Sequence, residues 1–331
     1  MPFAGFGDAV TVRPSPLPVD LGPGPFSTAG ARLLGVPPER LRRSDLVHPT
    51  RGAHVLVEPE TLVERALAFQ VAMPGDRAFS HVTAALLWGL PLPRALEQLA
   101  TAEGAPLHVM APTRDGMVHR AGVVSHRGLE VRAVAGPPGE GLRVVDLADT
   151  WCDLGELPRG SFSITDLVVV GDVVVARLDA RAGRPAGVAA LREALYARNR
   201  PRGAVVLRHA LTLVRPGVRS PMETRARLMF VGAGFPEPEL NAPVTDSAGE
   251  WLAEGDLVWR RQRLVGSTRA STMPIGADAV GTPSAGAWWR ATDGGSGSCG
   301  PRTSTEVRGR LWTLTSFAQA LDLDPSSLRI A

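Results

Sequence analysis

The chain of 331 residues has no lysine, and each of its 36 basic side chains is an arginine. Chemistry that needs an ε-amine is therefore excluded, including Schiff-base formation and the phosphate-binding lysine of a P-loop. Cysteine is nearly as scarce. Cys152 and Cys299 stand 147 positions apart with no CxxC and no clustered histidine beside them, so neither a thiolate zinc site nor a disulfide framework is signalled. A reducing cytoplasm is the expected location. No window approaches 18 uncharged apolar residues, and the start MPFAGFGDAV lacks the basic residues and apolar run of a signal peptide. Neither secretion nor a membrane partner is expected.

A hydrophobic fraction of 44% with 21% charged residues describes a globular chain, long enough for two domains with their own cores. The arginines exceed 33 acids by 3, a balance that allows a nucleic-acid partner without demanding one.

Residues 1 to about 30 are proline-rich, and prolines lock φ and remove donors, so an extended lead-in is expected. Thr50, Arg51 and Gly52 signal a turn before the short apolar run His54 to Val57. Ser80 precedes an apolar helix through Trp88, with Gly89 as its stop. The runs at 107–111 and 122–127 read as strands, and a helix is expected from near Asp146. Periodicity does not decide whether the run Asp166 to Asp172 is strand or buried helix. A helix is expected from Gly187, and Arg215, Pro216 and Gly217 mark a boundary.

Beyond that boundary Ser220, Pro221, Met222 and Glu223 have the form of a capping box, with Pro at the first helical position and Glu at the third. The helix should stop at Gly234. A hairpin with a turn at Ala248 and Gly249 should follow, its second strand carrying Asp256. Helix with Glu, hairpin, then Asp on a strand is the order in which a restriction-endonuclease-like core places acids around Mg²⁺, which polarises the scissile phosphate and activates water.

The wording is more specific than the order. RPGVRSPMETRARLMFVGAGFPEPELNAPV followed by GEWLAEGDLVWRRQRLV resembles a bacterial endonuclease-like family related to very-short-patch-repair enzymes, with its pattern S-P-x-E-x-R, G-x-P-x-P and D-L-x-W. The helix HVTAALLWGLPLP, the segment VVDLADTW and the run DLVVVGD resemble the region that precedes this core in actinobacterial members, a module similar to AbiEi-type antitoxins. The resemblance covers roughly residues 35 to 265. It implies an α/β chain with an N-terminal α/β module over 31–212 and a PD-(D/E)XK core over 213–265. It further implies Mg²⁺-dependent DNA cleavage, with Asp256 and Glu223 as catalytic metal ligands and Arg225 as a DNA contact. Arg260, Arg261 and Arg263 form a basic knot beside Asp256 that could meet phosphate, with Arg40, Arg42 and Arg43 a weaker second group. With no lysine, even a complete site needs another group where many nucleases use one.

After Val265 the expected second acidic strand is missing. Residues 266–310 hold 30 Gly, Ser, Thr, Ala or Pro in 45 positions and not one leucine. Arginine without lysine points to GC-rich codons. Read one base out of frame, such codons let the run Ser271 to Gly276 become H-H-A-D-R, and the stretch from Ala287 to Thr305 yields the missing G-W-R-V strand. The expectation is a core cut after its second or third strand by a frameshift near Val265 to Ser267, an aberrant tail over 266–331, and a protein inactive as written. The alternative is a non-catalytic DNA-binding or antitoxin-like regulator.

Seven histidines (His48, His54, His81, His108, His119, His126 and His209) are scattered, with no HExxH and no close metal pair, and are expected to be structural or surface residues. Ser80 beside His81 reads as a helix cap, not a nucleophile. Trp88, Trp151, Trp251 and Trp259 read as core, whereas Trp288 and Trp289 belong to the displaced frame.

Overall fold

The computed structural model describes residues 14–137, 141–245, 249–262 and 264–267. The tail beyond Ser267, with Cys299, Trp288 and Trp289, lies outside them, as do Ala248 and Arg263.

The chain is mixed α/β. It opens with β1 (Phe26–Ser27), α1 (Thr28–Leu33), β2 (Ala53–His54), α2 (Leu62–Gln70), β3 (Ala78–Phe79), α3 (His81–Leu87) and α4 (Arg94–Thr101). It continues with β4 (Leu107–Ala111), β5 (Val123–Arg127), β6 (Val134–Ala135), β7 (Val144–Val145) and α5 (Leu147–Gly155). Then come α6 (Ile164–Ala182), α7 (Gly187–Tyr196), α8 (Ala204–Leu213), α9 (Pro221–Gly232), β8 (Glu239–Thr245), β9 (Trp251–Trp259) and β10 (Leu264–Gly266).

The lead-in differs from expectation. Residues 14–18 carry no regular element, but β1 and the start of α1 fall before residue 31, so a boundary at 30/31 would cut α1. The reason is apolar contact: Leu17 and Leu21, between the prolines, pack on Phe26, Ala31, Val36, Leu41 and Leu46.

The central sheet has the order β5-β4-β3-β7-β6, with β3/β7 and β4/β5 parallel and the other pairs antiparallel. Its core joins Phe79, Val109 and Val144 to Leu147 and Trp151 of α5. Asp146 caps α5 by accepting from Asp149 N at 2.8 Å. Trp88 and Trp151 are core as expected, each donating its indole N–H to a backbone carbonyl, Val145 O and Leu167 O, both at 2.8 Å.

The run at 166–172 is the inner part of helix α6. Ser163 and Asp166 form its capping box, and Gly183 ends it in the left-handed region. Leu167 to Asp172 are all buried, because α5, α7, α8 and α9 all pack on α6. A helix covered on every side shows no amphipathic stripe, which explains the unreadable period. Gly187 opens α7 where it meets α6: a Cβ there would stand 2.6 Å from Val175 Cα and 2.7 Å from Val175 O.

The C-terminal unit is α9 packed on an antiparallel sheet of order β10-β9-β8, around Phe230, Phe235, Leu257 and Trp259. Trp251 is not core. It opens β9 with 69% of its surface exposed, where the hairpin extends past its helical cover. Among the described residues, no helix is long and apolar enough to cross a membrane.

A buried polar junction joins α6 to this unit. Asp172, fully buried, accepts from Arg215 N at 2.8 Å, Thr224 Oγ1 at 2.7 Å and Arg227 Nη2 at 3.1 Å. Arg227 also donates to Leu213 O and Glu237. Removing one partner of a buried pair leaves the other charge uncompensated. Arg227→Leu is therefore expected to cost about 3–5 kcal/mol in urea unfolding, and a concurrent Asp172→Asn to recover part of it. Equal losses in single and double variants would assign the effect to packing. Gly187→Ala is expected to cost about 1–3 kcal/mol, because overlap with backbone outweighs the better helix propensity of alanine, about 1 kcal/mol. A midpoint unchanged from wild type would contradict the close approach.

Candidate functional site

Glu223 lies in the first turn of α9 and is buried. Ser220 Oγ accepts from Glu223 N and donates to Glu223 Oε1, while Glu223 Oε2 accepts from Arg219 N at 2.9 Å and from Asn241 Nδ2 at 2.7 Å. The capping box is thus displaced by one residue, since the carboxylate closes on the amide of Arg219 instead of that of Ser220. Asn241, at φ +46°, also donates to Gly217 O. Leu240 pairs with Leu257 and Ala242 with Gly255, so Asn241 falls across from Asp256. Asp256 is buried in β9, and its Oδ2 accepts from Ser267 Oγ at 3.1 Å. Asn241 thus ties Glu223 to β8, the strand that pairs with the strand carrying Asp256.

This donor set does not fit Mg²⁺. The ion requires near-octahedral oxygen ligation, normally with waters and substrate oxygens beside one or two free carboxylates. Both oxygens of Glu223 already take protein donors, and among the described residues no group of three potential ligands includes Glu223 or Asp256.

The arginines proposed as DNA contacts are mostly paired. Arg225 meets Asp166 at 2.9 Å, and Arg260 Nε contacts both oxygens of Glu239. Arg261 is exposed, and Arg263 lies outside the described residues. Arg40 is buried and bidentate on Asp45.

A different cluster sits at the central sheet. Parallel register sets Met110 of β4 beside His126 of β5, which makes His108 and His126 diagonal neighbours. His81 follows β3 at the start of α3, held there by Ser80 N, which donates to His108 O at 3.0 Å. Three histidines from separate segments therefore meet, with potential ligand atoms all within 4.8 Å of one another. His108 Nδ1 lies 3.0 Å from His126 Nε2, and the His81 ring stacks on His126 at 3.5 Å between centroids. The expectation of scattered histidines without a close pair fails in space for these three.

Behind them lies a buried charge network. Asp153 Oδ1 accepts from Arg132 Nε at 2.8 Å and from Arg198 Nη2 at 3.0 Å, and Arg198 also pairs with Asp149 and Glu156. Asp153 Oδ2 has no hydrogen-bond partner among the described residues and stands 3.9 Å from His81 Nδ1. Burial pushes the Asp153 carboxyl up to about 7, against the pull of Arg198 and Arg132. Burial likewise holds His108 and His126 down at about 4, and His81 well below its ordinary value with help from His126 and His108. All three imidazoles are therefore neutral at neutral pH, each with one nitrogen that carries no proton.

Ser80 takes the cap position of α3, but its hydroxyl makes no capping bond and lies 3.1 Å from His81 Nδ1. A serine–histidine–aspartate relay needs acid and nucleophile on opposite ring nitrogens. Here Ser80 and Asp153 both face Nδ1, which argues against a nucleophile. Cys152 is buried, its thiol pushed up to about 12 by burial, and is inert at neutral pH.

Sequence reasoning missed this cluster. The available signal was positional: each of the three histidines lies in or directly after an apolar strand, where a polar ring needs a partner. No protein family, no curated protein and no solved structure matches the chain at a significant level.

Between about pH 4 and 6.5 the unfolded chain binds more protons at His108 and His126 than the folded one, so stability falls as pH drops through that window. Asp153, raised to about 7, acts in the opposite direction and offsets about one histidine. In chelator-treated protein the expected net loss from pH 7 to pH 5 is about 1–3 kcal/mol by urea denaturation, and His126→Gln is expected to flatten the slope. Stability that rises on acidification would contradict this.

Proposed function

We propose that residues 213–265 are the opening part of a restriction-endonuclease-like core, preceded by an AbiEi-like module, in a protein of the DNA-endonuclease type that does not hydrolyse DNA as written. Helix α9 followed by antiparallel β8, β9 and β10, with Asp256 in the middle strand, supports the reading of the fold. The observation that carries the functional part is that no third ligand joins Glu223 and Asp256 among the described residues, where a second acidic strand after Val265 would supply it. The Glu223 carboxylate meanwhile closes a helix cap and a strand contact, so a restored strand would share an ion chiefly with Asp256. DNA contact would fall to Arg261 first, since Arg225 and Arg260 must leave Asp166 and Glu239 to reach phosphate. A cytoplasmic setting fits this partner. Element order and the resemblance in wording both support an endonuclease-type core.

Plasmid cleavage with Mg²⁺ or Mn²⁺ tests it, using the chain as written and a version with the reading frame restored after Val265. The expected result is no nicking by the first and nicking by the second that Asp256→Asn abolishes. Cleavage by the chain as written, lost on Asp256→Asn, would overturn the inactivity. Sequence-selective binding without cleavage by either form would replace the reading with the regulator.

A further inference from the structure

We propose that His81, His108 and His126 form a binding site for a divalent transition-metal ion of the zinc class, with Asp153 as the carboxylate that orients His81. This site is independent of Glu223 and Asp256.

Three observations carry it. The first is ligand geometry. Tetrahedral zinc with bonds of 2.0–2.1 Å places neighbouring ligand atoms about 3.3 Å apart. His108 Nδ1 and His126 Nε2 are 3.0 Å apart, and the three potential ligand atoms lie within 4.8 Å, a gap closed by turning one ring. The ring to turn is His81, which stacks face to face on His126 at an interplanar angle of 17°.

The second is the unpaired acceptor. A buried carboxylate oxygen without a donor is rare and calls for a physical cause. Asp153 Oδ2 is such an atom, and it faces His81 Nδ1. Metal-bound histidines characteristically donate their second ring N–H to a carboxylate. With Ser80 Oγ and Asp153 Oδ2 both before Nδ1, the proton belongs on Nδ1, and Nε2 keeps the lone pair for an ion.

The third is backbone and access. Behind the cluster the guanidiniums of Arg132 and Arg198 are held by Asp149, Asp153 and Glu156 and so are answered within the protein. His81 is held at φ +50°, in the left-handed region that non-glycine residues rarely occupy. Such strain persists where the surroundings enforce it and concentrates at binding sites. His81 is buried, whereas His108 and His126 are only partly covered, and β5 is an edge strand, so an ion has a route in from that side. Three protein ligands leave a fourth position for water or a small ligand.

The test uses the full chain, stripped with chelator and titrated with Zn²⁺ alone and with Co²⁺ alone. One ion per chain is expected, with a Co²⁺ absorption of tetrahedral intensity. His108→Gln and His126→Gln are each expected to weaken Zn²⁺ binding roughly 100-fold or more, while the exposed His119→Gln and His209→Gln leave it unchanged. If either cluster variant fails to fold, X-ray absorption on the zinc-loaded wild type decides alone: three imidazole nitrogens at about 2.0–2.1 Å support the site. No tight ion in folded wild type, a shell with fewer than three imidazoles, or undiminished affinity in a folded cluster variant would overturn it.

Discussion

The structure depends on pairing buried aspartates with arginine. Asp149, Asp153 and Asp172 sit inside the helical layer, and an isolated carboxylate there carries a penalty of several kcal/mol. A lysine would answer with one strongly hydrated point charge. Arginine answers with a planar set of donors that reaches several acceptors at once. Arg198 reaches Asp149, Asp153, Glu156 and the Asp149 carbonyl, and Arg227 reaches Asp172, Glu237 and the Leu213 carbonyl. A chain whose basic residues are all arginine can bury acids this way. Each guanidinium comes from an element other than the one that holds the acid, so the pairs also lock the elements together.

The same pairs set up the two corners where chemistry was sought. On α9, Thr224 and Arg227 are three positions apart and face Asp172 on α6, which fixes the rotation of the helix. Glu223 is then turned toward Arg219 and Asn241, where it closes the cap. On α5, Arg132 and Arg198 both take Asp153 by Oδ1, which leaves Oδ2 turned to His81. One arrangement satisfies a carboxylate completely, and the other leaves half of one unsatisfied.

How much of this could be read from the chain follows from the range of the interactions. Caps and stops are local, so the starts of α5, α7 and α9 and the strands β4 and β5 fall where turn and cap residues place them. The hairpin carrying Asp256 was legible for the same reason. The run at 166–172 was not assignable, because a helix buried on all sides loses its period. Trp251 was misjudged because one aromatic in a strand does not tell which end of a hairpin outruns its cover. The histidine cluster was illegible for a deeper reason: it requires the parallel pairing of β4 with β5 and the antiparallel pairing of β3 with β4, and β3 is only two residues long. No spacing rule on one segment encodes such a meeting.

Hydrogen-bond saturation then decides where this chain can still gain free energy from a ligand. Among the described residues, four buried side-chain polar atoms have no partner: His54 Nδ1, Asp153 Oδ2, Arg198 Nε and Arg227 Nε. The two Nε atoms belong to guanidiniums whose other nitrogens are well bonded, so little remains to be gained there. His54 bonds Thr28 through its other nitrogen and stands edge-on to His48, a pair without a third ligand. Asp153 Oδ2 is the one unpaired oxygen, and it lies against a group of three imidazoles that burial keeps neutral. At Glu223, by contrast, a ligand would first have to displace an amide, a hydroxyl and a side-chain amide already in place. The net gain on exchanging one satisfied hydrogen bond for another is small, about 1 kcal/mol, whereas satisfying a buried orphan recovers a desolvation penalty of about 1–3 kcal/mol. Among the described residues the unsatisfied buried oxygen therefore lies beside the three histidines of the central sheet and not at the carboxylates to which the sequence first points.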